Sequence, residues 1–294
     1  MENILDDEFV IQMDDSPPFS WIKQAPNRFM NCSVARKIGK LCVNAVGNAF
    51  EIGEMARDVL GIETAEISDT FYPKSGGPEC VPCIVSYSGQ MKEAIKAVEY
   101  YEREGIVISS GGMIKNVARN RGWEYISLPK GYSSRFLFPE LFGCFLTLMG
   151  KSIVIPDLES FLERNLPSEI SENNESKLIA LSISKQSIAI IYDRHSYGLA
   201  RRFKSLFLSN SGTKVDLVSN EDDLSKIENV SSEVQLISFV NDFAMTDAIR
   251  IGGFPYDSTT LEGYVKNELI GELSSLYFGL LKGFEIELFD TQIE

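Results

Sequence analysis

The stretch from Val81 to Ile95 constrains the local architecture of this chain more tightly than any other segment. Five apolar or small residues lead into Ser86-Tyr87-Ser88-Gly89. Met91, Ala94, Ile95, Val98 and Tyr101 then recur at helical spacing, and Gly105 stands where a helix would stop. The pattern predicts a strand that passes into a helix, spanning Gln90 to Glu104, through a turn of hydroxyls and one glycine. Such a turn aims backbone N–H groups and the positive end of a helix dipole outward beside two serine hydroxyls, which suits a phosphate. Serine is also a favoured N-cap for purely local reasons. The residues alone therefore leave a plain capped helix open.

The same alternation repeats along the chain. Strands are predicted over 41–46, 64–68, 83–86, 106–109 and 125–128, and helices over 50–60, 113–121 and 138–149. Tyr72 to Pro78 is rich in turn formers and reads as a loop. A βαβα order of this kind predicts an α/β fold with a parallel sheet covered by helices on both faces. Lys151 to Glu175, with Pro156, Pro167 and a polar run from Ser168, reads as a connection that carries a helix over 157–166. A second α/β unit follows, with strands over 187–192, 215–218 and 234–240. Its helices are expected over 177–184, 197–208 and 261–281, the last ending at Gly283.

A chain of 294 residues is long enough for two domains. The net charge of −14 argues against sequence-independent nucleic-acid binding, which needs a dense basic surface. No apolar run is long enough to span a bilayer, and the acidic start Met1-Glu-Asn-Ile-Leu-Asp-Asp-Glu8 lacks a signal-peptide pattern. A cytoplasmic location is the expectation. The five cysteines, an odd number, then fit reduced thiols. Cys80 and Cys83 form a lone CxxC, weak evidence for zinc in a chain with one histidine, and a structural role is expected for them.

Ser86-Tyr-Ser-Gly89 followed by a helix resembles the phosphate loop of the SIS (sugar isomerase) domain. The segment Lys130-Gly-Tyr-Ser-Ser-Arg-Phe-Leu-Phe-Pro-Glu-Leu-Phe-Gly143 is similar to a second signature of that group, in which an arginine closes a turn before a hydrophobic helix. Together they resemble the bifunctional phosphoglucose/phosphomannose isomerases, most clearly from Leu41 to Gly150. The resemblance implies two SIS-type subdomains, each a parallel sheet flanked by helices, here divided as residues 1–152 and 153–294. It further implies a homodimer, a sugar phosphate as ligand, and neither metal nor organic cofactor. The activity it implies is interconversion of fructose 6-phosphate with glucose 6-phosphate or mannose 6-phosphate through a cis-enediolate. Gly47 and Asn48, with Ser86, Ser88, Gly89 and Gln90, would bind substrate, and Arg135 would steady the enediolate. An ordinary ion pair is the alternative for Arg135.

Several positions depart from the pattern. Ala49 stands where the family has a substrate-binding serine, Asn48 replaces a glycine, and Gln90 and Met91 replace a small polar pair. The stretch Ser209-Asn-Ser-Gly-Thr-Lys214 puts Ser211 where the family's glutamate base belongs. Leu224 to Glu228 lacks the ring-opening histidine, and the family's C-terminal lysine is unmatched. The one histidine, His195, sits in the turn Asp193-Arg-His-Ser-Tyr197. Glu221, Asp222, Asp223 and Lys226 are substitutes for the missing groups or a solvated charged face. Two expectations result: a phosphosugar isomerase, or a non-catalytic relative that binds phosphosugars as a sensor or partner subunit.

Overall fold

The computed structural model describes residues 4–35, 38–61, 63–71, 77, 79–183, 187–220, 234–239 and 256–284. The expected loop over 72–78 (Gly77 apart), the acidic run from Glu221 and the last ten residues lie outside them. Three short helices open the chain: α1 (Glu8–Ile11), α2 (Phe19–Lys23) and α3 (Ala25–Arg28). The described residues fall into two compact units, one drawn from 27–154 and the other from 1–26 together with 155–289.

The first unit is built on five strands: β1 (Lys40–Asn44), β2 (Ala65–Ser68), β3 (Cys80–Val85), β4 (Ile106–Ser109) and β5 (Glu124–Ser127). They form one wholly parallel sheet in the order β2-β1-β3-β4-β5. Its helices are α4 (Asn48–Leu60), α5 (Lys92–Tyr100), α6 (Gly112–Asn120) and α7 (Phe138–Leu148). The step from β1 to β2 runs one way across the sheet and the steps from β3 to β5 run the other way. Right-handed crossovers then put α4 on one face and α5 and α6 on the opposite face. Accordingly α4 packs against α7, and α5 against α6. The core on the α5–α6 side joins Ile84 and Val107 to Ala94, Val98, Ile114 and Trp123, all buried. Parallel strands covered on both faces read as continuous apolar runs, and β4 (Ile-Val-Ile-Ser) is buried throughout.

The cysteines correct one expectation. Cys42 on β1 and Cys80 at the start of β3 are joined as a disulfide, with Cα atoms 5.8 Å apart, so the five thiols are not all reduced. β1 and β3 are neighbouring parallel strands, and the positions paired with them put both side chains on one face of the sheet. Cys80 and Cys83, three apart on one strand, point to opposite faces, so the CxxC spacing pairs nothing. Cys32, Cys83 and Cys144 are buried free thiols.

The second unit holds α8 (Leu158–Glu163), α9 (Glu175–Ser182), β6 (Ser187–Tyr192), α10 (Tyr197–Ser211), β7 (Lys214–Ser219), β8 (Val234–Ser238) and α11 (Leu261–Leu281). Its described strands form a parallel sheet in the order β7-β6-β8. The opening segment is tied into this unit by polar contacts: Asp6 accepts from the Ser171 hydroxyl at 2.8 Å, and Asp14 from the Ser168 hydroxyl at 2.6 Å. α11 is buried over most of its length and packs on α10 and α9. Gly271 lies so near the Phe203 ring that a Cβ there would sit 2.1 Å from it, which explains a glycine inside a buried helix. Between α10 and α11, Arg202 donates to Glu268 and Glu272, both at 2.9 Å, with all three side chains essentially inaccessible. Among the described residues, no helix is long and apolar enough to cross a membrane.

Candidate functional site

The order β2-β1-β3-β4-β5 reverses direction between β1 and β3. In open parallel sheets a crevice opens beyond the carboxyl ends of the strands at such a switch point, because the flanking connections leave on opposite faces. β1 ends at Asn44 and leads through Ala45-Val46-Gly47 into α4, and β3 ends at Val85 and leads through Ser86-Tyr87-Ser88-Gly89 toward α5. A cavity of about 240 Å³ lies there. Its polar lining comes from Asn48, Ser86, Tyr87, Ser88 and Ser134, and Phe71, Met91 and Leu137 are among its apolar walls. Among the described residues, no ionisable side chain lines it apart from the Tyr87 phenol. An adjoining cavity of about 510 Å³ shares Val46, Phe71 and Met91 with it and adds Asp69, Glu93 and Lys96.

The loop after β3 is held from several sides. The Tyr87 carbonyl accepts from the Ser110 N–H at 2.8 Å and from the Ser110 and Ser109 hydroxyls at 2.7 and 3.2 Å. The Gly89 N–H closes the turn on the Ser86 carbonyl at 3.1 Å. Gly89 has φ +65°, and a Cβ there would lie 2.0 Å from the Gly111 carbonyl oxygen, so the position admits only glycine. The Ser88 hydroxyl accepts from the Gln90 N–H at 3.3 Å. It therefore caps the turn and not the helix: α5 starts at Lys92 with Met91 as N-cap and no side-chain cap bond. The helix begins two residues later than its apolar spacing predicts, and its first-turn amides have no capping side chain.

The second segment of the cavity rim is locked to the first. The Tyr87 hydroxyl donates to the Tyr132 carbonyl at 2.8 Å. Tyr132 lies under the Arg28 guanidinium, 4.0 Å from ring centroid to Cζ. Arg28 also donates to the Phe136 carbonyl at 2.6 Å and to both Glu140 carboxylate oxygens at 2.7 and 2.9 Å. Burial pushes the Glu140 carboxyl up, and the Arg28 guanidinium opposes that shift. Residues 132–136 are thus fixed by a buried, bidentate ion pair that reaches from α3 to α7.

Of the residues singled out in the sequence, Asn48, Ser86 and Ser88 meet at this cavity. Gly47, Gly89 and Gln90 shape the two loops and are not among its lining. Arg135 sits in the 3-10 turn Ser134–Phe136, half-buried, between the lining residues Ser134 and Leu137, while its own side chain is not part of the lining. Tyr87 and Ser134 were not marked by the motif. In the second unit, Ser211 is buried at the end of α10, where its hydroxyl donates to the Phe207 carbonyl at 2.7 Å. His195 is exposed in the turn before α10 and accepts from the Arg194 guanidinium at 3.1 Å.

Comparison with known proteins agrees with this architecture. A glucose-6-phosphate isomerase-like protein from Thermus thermophilus superposes with a TM-score of 0.64 at 13% identity, covering 95% of this chain and 93% of its own. Glucosamine-6-phosphate deaminase from Thermotoga maritima gives 0.62 at 10% identity, covering 93% and 92%. The chain therefore shares the fold of these two proteins. In sequence, it is 32% identical over 130 residues to D-glucosamine-6-phosphate 4-epimerase of Sulfolobus acidocaldarius. That match takes in 41% of this chain and spans 40% of the relative's length. No protein-family profile matches the chain.

Proposed function

We propose that this protein is a phosphosugar isomerase that takes a hexose 6-phosphate into the cavity at the β1–β3 switch point. The single observation that carries this is the convergence of Ser86, Ser88 and Asn48 on one cavity beside the uncapped start of α5. Hydroxyls, a side-chain amide and helix-terminal N–H groups recognise a phosphate without needing a basic surface. The reaction is aldose–ketose interconversion of fructose 6-phosphate with glucose 6-phosphate or mannose 6-phosphate. We assign to Arg135, in the turn between the lining residues Ser134 and Leu137, the positive charge that an enediolate oxygen requires. The base is unassigned by the sequence, and Asp69 and Glu93, which line the adjoining cavity, are the carboxylates we would test for that role. The working protein is a cytoplasmic homodimer.

One observation favours a non-catalytic phosphosugar binder instead: among the described residues, the inner cavity is lined by neither a carboxylate nor a histidine. Amino sugar phosphates belong among the ligands tried, because a relative similar in sequence over part of the chain is named for one. The test couples fructose 6-phosphate turnover to glucose-6-phosphate dehydrogenase and measures thermal shifts with glucose, mannose and glucosamine 6-phosphates. Turnover supports the isomerase, and a shift in melting temperature without turnover supports the binder. Ser86→Ala and Ser88→Ala are each expected to weaken sugar phosphate binding by about tenfold or more, the worth of one hydrogen bond to a charged group. Absence of both turnover and shift would remove the phosphosugar assignment.

A further inference from the structure

We infer that Cys42, Glu66 and Cys80 form a binding site for a thiophilic divalent cation of the zinc class, available when the Cys42–Cys80 bond is reduced. The two sulfur atoms and a Glu66 carboxylate oxygen lie within 4.8 Å of one another. They come from three adjacent strands: Glu66 from β2, Cys42 from β1 and Cys80 from β3. Tetrahedral zinc with ordinary bond lengths holds two thiolates about 3.8 Å apart, and a thiolate and a carboxylate oxygen about 3.6 Å apart. The Cys42 sulfur already stands 3.8 Å from the Glu66 oxygen. A Cα separation of 5.8 Å lets the sulfurs either bond or part to that spacing by side-chain rotation alone.

The surroundings fit a cation. β2 is an edge strand and the Glu66 side chain is 41% exposed, which gives a path inward and room for water as fourth ligand. Two thiolates select for zinc-class over hard cations. The Lys40 ammonium, 3.2 Å from Glu66, offsets part of the negative charge when no metal is bound and is itself exposed enough to swing away. Oxidation and metal binding exclude each other. A dithiol reductant delivers two electrons and two protons to the Cys42–Cys80 bond and becomes a cyclic disulfide itself. The cation then displaces the two thiol protons to solvent. The site is independent of the sugar phosphate assignment.

The test is a cobalt(II) titration of the full chain under anaerobic conditions, before and after reduction by a dithiol that is then removed. Thiol titration of the unfolded protein confirms the starting states, with Cys32, Cys83 and Cys144 alone reactive in the oxidised form. The reduced protein is expected to bind one cobalt with a near-ultraviolet thiolate-to-cobalt charge-transfer band that zinc abolishes. The oxidised protein is expected to show no band. Cys42→Ser and Cys80→Ser should each lose it, Cys83→Ser should keep it, and Glu66→Gln should keep it with affinity about tenfold weaker or more. No band in the reduced protein, an equal band in the oxidised protein, or a band that survives in Cys42→Ser would each overturn the site. The oxidised and reduced wild type differ by two electrons and two protons alone, so the comparison stands even if a serine variant fails to fold.

Discussion

Arg202→Met should destabilise the second unit by about 3–5 kcal/mol, read as a lowered urea midpoint at nearly constant slope. Arg202 has no exposed side-chain surface and bridges Glu268 and Glu272, themselves on successive turns of α11. Two carboxylates and one guanidinium are a costly set to remove from water, and their opposite charges offset part of that cost. Methionine fills most of the space and supplies none of the charge. The remaining pair of buried carboxylates then faces itself across one turn of helix. The penalty comes from losing the guanidinium beside those buried carboxylates, so it has a distinctive signature. Arg202→Met combined with Glu268→Leu and Glu272→Leu should recover most of the lost stability. If the triple variant were less stable than Arg202→Met alone, the buried triad would be contributing net favourable energy rather than balancing its own desolvation.

Gly89→Ala should disable the β3–α5 loop. A methyl group there meets the Gly111 carbonyl oxygen at 2.0 Å and the Ser109 hydroxyl at 2.7 Å, and the backbone stands at φ +65°. Both neighbours are held, because the Ser109 hydroxyl bonds the Gly111 carbonyl at 3.0 Å and the Tyr87 carbonyl at 3.2 Å. The loop itself must move, at about 2 kcal/mol or more in stability. Sugar phosphate binding should fall about a hundredfold or beyond, since Ser86 and Ser88 lie on the displaced segment. Gly61→Ala is a control for backbone strain without a collision. It has φ +90°, and a methyl group added there would meet nothing within 4 Å, so it carries the backbone cost without the collision. With ψ 148° the Gly61 backbone lies in a region that is essentially glycine's own, so Gly61→Ala should cost about 1–3 kcal/mol and leave binding unchanged. Equal effects of the two substitutions on binding would show that the close approach to Gly111 does not set the loop.

Much of the first unit was legible in the sequence because its information is local. Buried parallel strands are apolar runs, amphipathic helices repeat every three or four residues, and glycines punctuate both; β4 and the helix from Phe138 follow from that alone. The turn after β3 was legible for the same reason, as a motif of four consecutive residues. What could not be read is the set of partners those residues choose. The Arg28–Glu140 pair joins positions 112 residues apart, and Glu140 lies in a helix whose composition signals only burial. The Cys42–Cys80 bond depends on which strands are neighbours, and sequence spacing drew attention to Cys83 instead. Tyr87 looks like filler between two serines until the fold puts the Tyr132 carbonyl in front of its hydroxyl. The delayed start of α5 has a similar origin: Ser88 satisfies the Gln90 amide, and the chain stays extended at Met91 before the helix begins.

The phenol of Tyr87 carries a consequence for kinetics. It fastens the two halves of the cavity mouth together, and Arg28 braces the far half from beneath. If an anion binds there as proposed, the Ser86 and Ser88 donors are already held in position among the described residues. Mixing experiments should accordingly give one exponential whose rate rises linearly with ligand concentration. Loosening that fastening, as in Tyr87→Phe, should bring in a slower phase that levels off, the mark of a mouth that must first find its shape.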